Sequence, residues 1–243
     1  MASREIYYDE RRFTISYLIV NPSKQETIII LHGWGSNKEI MKQAFGEKLE
    51  KFRHIYIDMP GFGKSNNDMV LETKDYAIIL QRFLNQIDTN PYIIMGHSFG
   101  GKVATLMDSP NLVLLSSSGI LVPKPLTIKL KIAMSKGLKY LGLKGFTNIF
   151  RSNDVKGMSH NMYQTFKNIV DEEFEDNFKH SSSEAILFWG KDDTATPLWT
   201  ANRIDELLPY SKLYELDGDH FFFLKHSQFI SDTITRRFLN DIS

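Results

Sequence analysis

The sequence predicts an α/β fold, in which a mostly parallel β-sheet has helices on both faces. Short, almost continuously apolar runs recur along the chain, as expected for parallel strands that are buried on both sides. Stretches with helical spacing separate most of these runs, and alternation of strand and helix is typical of α/β sheets. The apolar runs are residues 27–31, 54–57, 92–95, 112–115, 185–189 and 212–216.

A hairpin precedes the first apolar run. Residues 3–9 and 12–20 have strand-like composition and flank the polar sequence Asp9-Glu10-Arg11-Arg12. Two segments of this kind around a short polar turn predict paired antiparallel strands. Together with the six apolar runs, the hairpin brings the predicted sheet to eight strands.

One long interval has no strand pattern. Residues 120–183 instead show helical spacing of apolar side chains. We therefore predict a sheet core formed by residues 1–119 and 184–243, with residues 120–183 inserted as a helical cap over the carboxyl edge of the sheet. The stripe that indicates helix consists of Leu126, Leu130, Ala133, Met134, Leu138 and Leu141.

The composition excludes several classes of function. The chain of 243 residues has no cysteine, which rules out disulfides, thiolate metal sites and a cysteine nucleophile. Its 29 basic and 29 acidic residues balance, so no net charge draws it to nucleic acid or membrane. No apolar run approaches the roughly 18 residues of a membrane span, and the first residues do not resemble a secretory signal. We expect a cytoplasmic protein.

The most informative motif lies at the end of the 92–95 strand. Gly96-His97-Ser98-Phe99-Gly100 fits the G-x-S-x-G pattern of a nucleophile elbow, a sharp strand-to-helix turn with the serine at its apex. Glycine is needed two residues either side of Ser98 because a Cβ has no room there. The pattern predicts Ser98 as a nucleophile.

A serine nucleophile needs a base that is itself oriented by an acid. Of the seven histidines, His220 lies just past the last strand, on a loop at the carboxyl edge of the sheet where ligands bind. His97 is a poor base, because neighbours across a strained turn point apart. Asp192 and Asp193 both follow the 185–189 strand, and either could orient His220.

Two backbone N–H groups could stabilise the oxyanion that forms when Ser98 attacks a carbonyl. One belongs to Phe99, directly after the nucleophile. The other belongs to Trp34, in the loop His32-Gly33-Trp34-Gly35, where glycines let the backbone approach the substrate. We expect Gly33, Trp34 and Phe99 to contact the substrate.

These motifs resemble those of the α/β-hydrolase superfamily. The resemblance runs from residue 31 to residue 220 in the expected order and includes Asp58-Met59-Pro60-Gly61-Phe62-Gly63-Lys64-Ser65. It implies the α/β-hydrolase fold with a cap, and it selects Asp193 over Asp192, because the family's acid is usually third after the strand-ending glycine. Asp219 departs from the pattern, since that position is usually glycine. The helix after Ser98 is also expected to be about one turn short.

The resulting functional hypothesis is a serine esterase with Ser98, Asp193 and His220 as its triad, acting on a small ester through an acyl-enzyme. No histidine and carboxylate set has metal-ligand spacing, so neither a metal nor a cofactor is expected. A carbon–carbon bond hydrolase of the meta-cleavage type is an alternative, and a catalytically silent binding protein is another. The basic stretch 124–156 could meet an acidic acyl carrier, since the motifs also resemble pimeloyl-acyl-carrier-protein methyl ester esterases.

Overall fold

The computed structural model describes residues 2–123 and 158–239. Within these ranges, eight strands and seven helices follow one another along the chain. The strands are β1 (Ala2–Tyr8), β2 (Arg11–Val20), β3 (Thr27–Leu31), β4 (Arg53–Ile57), β5 (Ile93–His97), β6 (Asn111–Leu115), β7 (Glu184–Gly190) and β8 (Ser211–Leu216). The helices are α1 (Lys38–Phe45), α2 (Thr73–Gln86), α3 (Phe99–Thr105), α4 (His160–Val170), α5 (Glu175–Lys179), α6 (Leu198–Leu207) and α7 (Phe223–Leu239).

The strands form one sheet in the order β1-β2-β4-β3-β5-β6-β7-β8. The β1–β2 and β2–β4 pairs are antiparallel, and every other pair of neighbours is parallel. The predicted opening hairpin and the eight-stranded, mostly parallel sheet are therefore confirmed. Because β3, β5, β6 and β7 lie in the middle and run in parallel, the loops that follow them meet at one edge of the sheet.

Alternate strand residues face two separate apolar layers, which explains why the central strands are apolar throughout. On one side, Ile29 and Ile94 pack with side chains of α2, α3, α4 and α6. On the other side, Ile28 and Ile30 pack with side chains of α1 and α7. β3, β5 and β6 are buried along their whole length. The sheet is thus covered by helices on both faces, as the sequence predicts.

The predicted cap is only partly within the described residues. Its described portion, residues 120–123 and 158–183, contains α4 and α5 and no strand. The basic stretch and the apolar stripe of the sequence analysis fall within residues 124–157, outside the described ranges. The division at residues 119 and 184 remains a prediction. Among the helices that the structure describes, none is long and apolar enough to cross a membrane.

Candidate active site

Ser98 is the junction between β5 and α3. Its backbone has φ 52° and ψ −116°, a positive φ that is uncommon for a residue with a Cβ. Three hydrogen bonds hold it there. The Ser98 N–H donates to the Leu115 carbonyl at 3.0 Å, and the Ser98 carbonyl accepts from the N–H groups of Gly101 at 3.0 Å and Ser118 at 3.1 Å. The serine is partly exposed, whereas its neighbours on both sides are buried. This is the geometry of a nucleophile elbow.

The two glycines of the elbow are sterically required. A Cβ on Gly96 would lie 2.2 Å from the Gly100 carbonyl oxygen. A Cβ on Gly100 would lie 2.6 Å from the carbonyl oxygen of His32, in the loop after β3. Both contacts are with backbone, which cannot move aside cheaply. The close packing also brings the β3 loop against the elbow.

The structure brings Asp193 and His220 together. The Nδ1 atom of His220 lies 2.7 Å from Oδ2 of Asp193, whose side chain has no exposed surface. Asp192, by contrast, is exposed. If His220 Nδ1–H donates to the carboxylate, its Nε2 is left as the proton acceptor. Burial raises the pKa of Asp193, but hydrogen bonds from His220 and from the Thr196 backbone N–H outweigh it and lower that pKa to about 2.

Thr196 is a site residue that sequence reasoning missed. Its hydroxyl lies 2.8 Å from Oδ2 of Asp193, and its N–H donates to Oδ1 at 3.0 Å. The Ala195 N–H also donates to Oδ1, at 2.8 Å. The Trp189 indole N–H in turn donates to the Thr196 carbonyl at 2.7 Å. The signal was present in the sequence: an aspartate followed three residues later by threonine is a common side-chain-to-backbone turn.

Ser98 and His220 lie on adjoining segments but make no hydrogen bond with each other within the described part of the chain. Such bonds often form fully only when substrate is bound. The contact between the two segments is made by His97, the residue before Ser98. Its ring centroid is 4.6 Å from that of His220, and its Nε2 is 2.9 Å from the His220 carbonyl oxygen. Sequence analysis had set His97 aside.

The loop after β3 lies beside the nucleophile. A Cβ on Gly33 would be 3.1 Å from the Cβ of Ser98, so only glycine fits easily. Neither the Trp34 nor the Phe99 N–H donates a hydrogen bond to any residue in the described ranges. Phe99 is the first residue of α3, where backbone N–H groups have no partner within the helix. Two backbone N–H groups without a partner in the described ranges therefore flank Ser98, and their role as oxyanion donors stays a prediction.

His32 fixes the shape of that loop. Its Nδ1–H donates to the Gly33 carbonyl at 2.8 Å, and its Nε2 accepts from the Met59 N–H at 3.1 Å. A ring that donates at one nitrogen and accepts at the other is neutral. Burial agrees with this state, because it lowers the pKa of His32 to about 4. His32 is thus a bracing residue rather than a base.

Aromatic side chains form a wall beside the two free N–H groups. The Trp34 ring lies 4.8 Å from Phe62, 5.5 Å from Phe99 and 5.3 Å from Phe166, measured between centroids. Phe166 belongs to α4, so part of the predicted cap contributes to this wall.

A separate cleft of about 750 Å³ lies between α5 and α6, beside Phe174 and Trp199. None of the predicted site residues lines that cleft.

Asp219, the departure from the family pattern, is exposed. Its Oδ1 accepts a hydrogen bond of 2.8 Å from the Phe221 N–H, so the carboxylate closes the turn that bears His220.

Across residues 2–123 and 158–239, no three histidine or carboxylate side chains form a set suited to a metal ion. α3 has seven residues, in keeping with the short helix expected after Ser98.

Part of the chain matches a known family model, and longer stretches are similar to known proteins. Residues 26–114, which include Trp34 and Ser98, match the family model described as the alpha/beta hydrolase fold. The chain is 25% identical to the uncharacterized hydrolase YugF of Bacillus subtilis, over 85% of the chain and 89% of that protein. It is 22% identical to the pimeloyl-[acyl-carrier protein] methyl ester esterase of Vibrio cholerae, over 79% of the chain and 86% of that protein.

Solved structures show the same fold. An esterase from Thermogutta terrifontis superposes with a TM-score of 0.76 at 15% identity, covering 100% of the chain and 99% of that structure. The esterase EaEST from Exiguobacterium antarcticum superposes with a TM-score of 0.75 at 20% identity, covering 96% and 98%. The family model, the sequence relatives and the order of strands in the sheet all indicate the same fold. The chain is therefore a hydrolase of the α/β-hydrolase fold.

Proposed function

We propose that the chain is a serine hydrolase that cleaves a carboxylic ester, with Ser98, His220 and Asp193 as its triad. The observation that supports this most strongly is the buried 2.7 Å contact between Asp193 and His220, on loops that adjoin the strained elbow of Ser98. A buried carboxylate that accepts the Nδ1 proton holds the imidazole in the tautomer that a general base needs.

In the proposed first step, His220 Nε2 removes the Ser98 hydroxyl proton while the Ser98 oxygen attacks the ester carbonyl carbon. The carbonyl oxygen becomes an oxyanion, which the N–H groups of Trp34 and Phe99 stabilise. Collapse of this tetrahedral intermediate breaks the bond to the alcohol oxygen. The alcohol leaves with the proton from His220, and an acyl-serine remains.

Water completes the cycle. His220 removes a proton from water, whose oxygen attacks the acyl carbon of the acyl-serine. The second tetrahedral intermediate uses the same two N–H donors. When it collapses, the bond to Ser98 breaks, His220 returns the proton to the Ser98 oxygen, and the carboxylic acid is released. Asp193 stabilises the imidazolium in both steps without taking its proton.

The aromatic wall favours an apolar acyl group. Trp34 and Phe99 supply the proposed oxyanion donors from their backbones, and their rings pack with each other and, through Trp34, with Phe166. An acyl chain attached to Ser98 would then lie against aromatic carbon, where its burial from water is favourable. We propose that Phe166 limits the acyl length, so that Phe166→Ala moves the preference among p-nitrophenyl esters to longer chains.

An acyl carrier remains a proposed source of the acyl group. It is supported by the named activity of the Vibrio cholerae relative and by the lysines of residues 124–157. If an acidic carrier binds there, added salt should weaken binding, and replacing Lys129, Lys131 and Lys136 with Gln should lower turnover of a carrier-bound ester but not of a p-nitrophenyl ester. Unchanged turnover of the carrier-bound ester would contradict the proposal.

A fluorophosphonate probe tests the central proposal. Such a probe labels an activated serine, so intact-mass measurement should show one adduct on the native protein and none on Ser98→Ala. Ser118→Ala is the matched control, because Ser118 is a neighbouring, partly exposed serine whose backbone N–H bonds Ser98 but whose hydroxyl has no proposed role. An unlabelled native protein would support a silent binding protein, and equal labelling of Ser98→Ala would place the nucleophile elsewhere.

Hydrolysis rates distinguish ester from carbon–carbon bond cleavage. We expect turnover of p-nitrophenyl esters and none of a 2-hydroxy-6-oxo-dienoate, the substrate type of meta-cleavage hydrolases. Faster turnover of the dienoate would favour the alternative reaction. The basic residues that the sequence offers for binding its carboxylate fall within residues 124–157, outside the described ranges.

A further inference from the structure

His97 is the last residue of β5 and is almost completely buried, with 1% of its surface exposed. Its Nε2 lies 2.9 Å from the backbone carbonyl oxygen of His220. Its ring centroid lies 4.6 Å from that of His220 and 4.8 Å from that of Phe223. The residue before the proposed nucleophile therefore packs directly against the proposed base.

The hydrogen bond between His97 and the His220 carbonyl links two segments of the proposed site. Within the described parts of the chain, it is the hydrogen bond that joins the elbow, residues 96–100, to the loop that bears His220, residues 217–221. The other bonds of the loop go to Lys191, Asp192, Asp193 and Thr196, or they lie within the loop or at the beginning of α7. They hold the loop against the acid but not against Ser98.

The partner of His97 determines its tautomer. A carbonyl oxygen only accepts, so Nε2 must carry the hydrogen. Nδ1 is then an acceptor, and it is buried without a hydrogen-bond partner within the described ranges. Burial lowers the pKa of His97 to about 3, so the ring stays neutral beside an imidazolium. It can donate a hydrogen bond without competing for the proton of His220.

Stability alone does not account for a histidine at this position. A buried acceptor without a partner lowers the stability of the folded state. An apolar side chain in the same space would avoid that cost at Nδ1, although it would lose the donor to His220. What the histidine contributes is this one directed hydrogen bond.

We propose that His97 is a positioning residue, which ties the backbone of His220 to the elbow so that the imidazole faces the Ser98 hydroxyl. The inference rests on the proposed function, since it needs Ser98 and His220 to act together. A displacement of about 1 Å between reacting groups can lower a rate by a factor of about 100. A tether one residue from the nucleophile is well placed to prevent such a displacement.

Two substitutions distinguish the effect of the His97 hydrogen-bond donor from the effect of its side-chain volume. His97→Leu removes the donor, whereas His97→Gln keeps an amide N–H near the position of Nε2. We expect His97→Leu to lower kcat for a p-nitrophenyl ester at least tenfold with KM changed less than about twofold, and to slow fluorophosphonate labelling in parallel. His97→Gln should restore kcat to within a few-fold of the native value. If His97→Leu does not fold, His97→Asn replaces it, because its amide is too short to reach the carbonyl.

His54 is the matched control. It is also a fully buried histidine with Nε2 bonded to a backbone carbonyl, that of Leu49, but it lies in β4 away from the site. His54→Leu should lower the melting temperature and leave kcat unchanged. Native kcat in folded His97→Leu, or failure of His97→Gln to restore kcat, would overturn the inference. An unlabelled native protein would instead overturn the proposed function itself.

Discussion

Asp192 and Asp193 are adjacent carboxylates with opposite surroundings. Asp193 is buried and accepts hydrogen bonds from His220, Ala195 and Thr196, whereas Asp192 is exposed to solvent. Both are aspartates at consecutive positions after β7, so propensity and composition could not predict which of them is buried. The family resemblance selected Asp193, and the structure shows that only Asp193 is buried and hydrogen-bonded to His220. The role of a single residue therefore depends on the atoms that surround its side chain.

Asp193→Asn is expected to lower kcat by about three to four orders of magnitude, with KM nearly unchanged. An amide at this position can donate to the imidazole and so favours the wrong tautomer, which is the known effect in serine proteases. Steady-state kinetics on a p-nitrophenyl ester measure the change. Asp192→Asn is the matched control and should retain native kcat. Equal losses in the two variants would contradict the assignment of Asp193.

Thr196→Val tests the residue that sequence reasoning overlooked. Valine keeps the shape but removes the hydroxyl that bonds Asp193, while the backbone N–H bond remains. We expect kcat to fall about three- to tenfold, since a hydrogen bond to a charged group contributes about 1.5–3 kcal/mol and not all of it bears on the rate. Thr194→Val, at an exposed position, should have no effect. A native rate in Thr196→Val would show that the backbone bonds suffice.

At the scale of elements, an ion pair with a buried lysine joins α3, the helix that follows Ser98, to the described part of the predicted cap. Lys102 of α3 has a side chain that is 3% exposed, and its Nζ lies 2.6 Å from Oε2 of Glu172, which follows α4. The same Nζ donates to the Ile169 carbonyl at 2.9 Å and lies 5.0 Å from the Phe174 ring centroid. The segment that contains α4 therefore packs on α3, the helix that follows Ser98.

Lys102→Met is expected to lower the free energy of unfolding by about 1–3 kcal/mol. The Ile169 carbonyl loses its lysine donor, and the Glu172 carboxylate keeps the Thr73 hydroxyl but loses its buried cation. Since α4 also places Phe166 beside Trp34, we expect KM for an ester to rise. Chemical unfolding and steady-state kinetics measure the two effects. The double variant Lys102→Met with Glu172→Gln should recover part of the stability, because both charges are gone.

The exposed pair Lys74 and Glu72 is the control for that experiment. Its N–O distance is 3.0 Å, but both side chains are more than half exposed. Exposed ion pairs contribute little, since water screens them. Lys74→Met should leave stability and KM almost unchanged. A larger effect from Lys74→Met than from Lys102→Met would contradict the role of the buried pair.

At the scale of the whole molecule, the fold buries three histidines in their neutral form. His32, His54 and His97 are each at most 1% exposed, and burial lowers the pKa of all three. The charged form is disfavoured because few partners replace its hydration inside the core. In the unfolded chain each would titrate near its ordinary pKa of 6.5. The stability of the folded state therefore depends on pH through three histidines, which lie directly after β3, within β4 and at the end of β5.

We expect the stability to fall as the pH drops below 6.5. A histidine whose folded pKa is depressed stabilises the fold above its unfolded pKa, and this contribution is lost as the unfolded chain takes up the proton first. Each histidine adds a slope of up to about 1.4 kcal/mol per pH unit between its unfolded and folded pKa. Chemical unfolding at pH 7, 6 and 5 measures the slope. Replacing the exposed His180 with Gln should not change it, and a flat profile would contradict the prediction.

The α/β class, the eight strands and the position of the strand-to-helix turn at Ser98 could all be predicted from the amino-acid sequence. These depend on local features: continuous apolar runs, the spacing of glycines around Ser98, and a polar turn between two strands. Such signals need no knowledge of distant residues, because strand burial and turn sterics act over a few positions. The assignment of Trp34 and Phe99 as oxyanion donors also uses local signals, and it stays a prediction.

Contacts between residues far apart in the sequence become visible only in the folded chain. His97 bonds the carbonyl of His220, and Lys102 reaches past its own helix to Glu172. These contacts join residues as far as 123 positions apart, and no periodicity records them. A hydrogen bond depends on direction and on distances near 3 Å, which only packing of the whole chain sets.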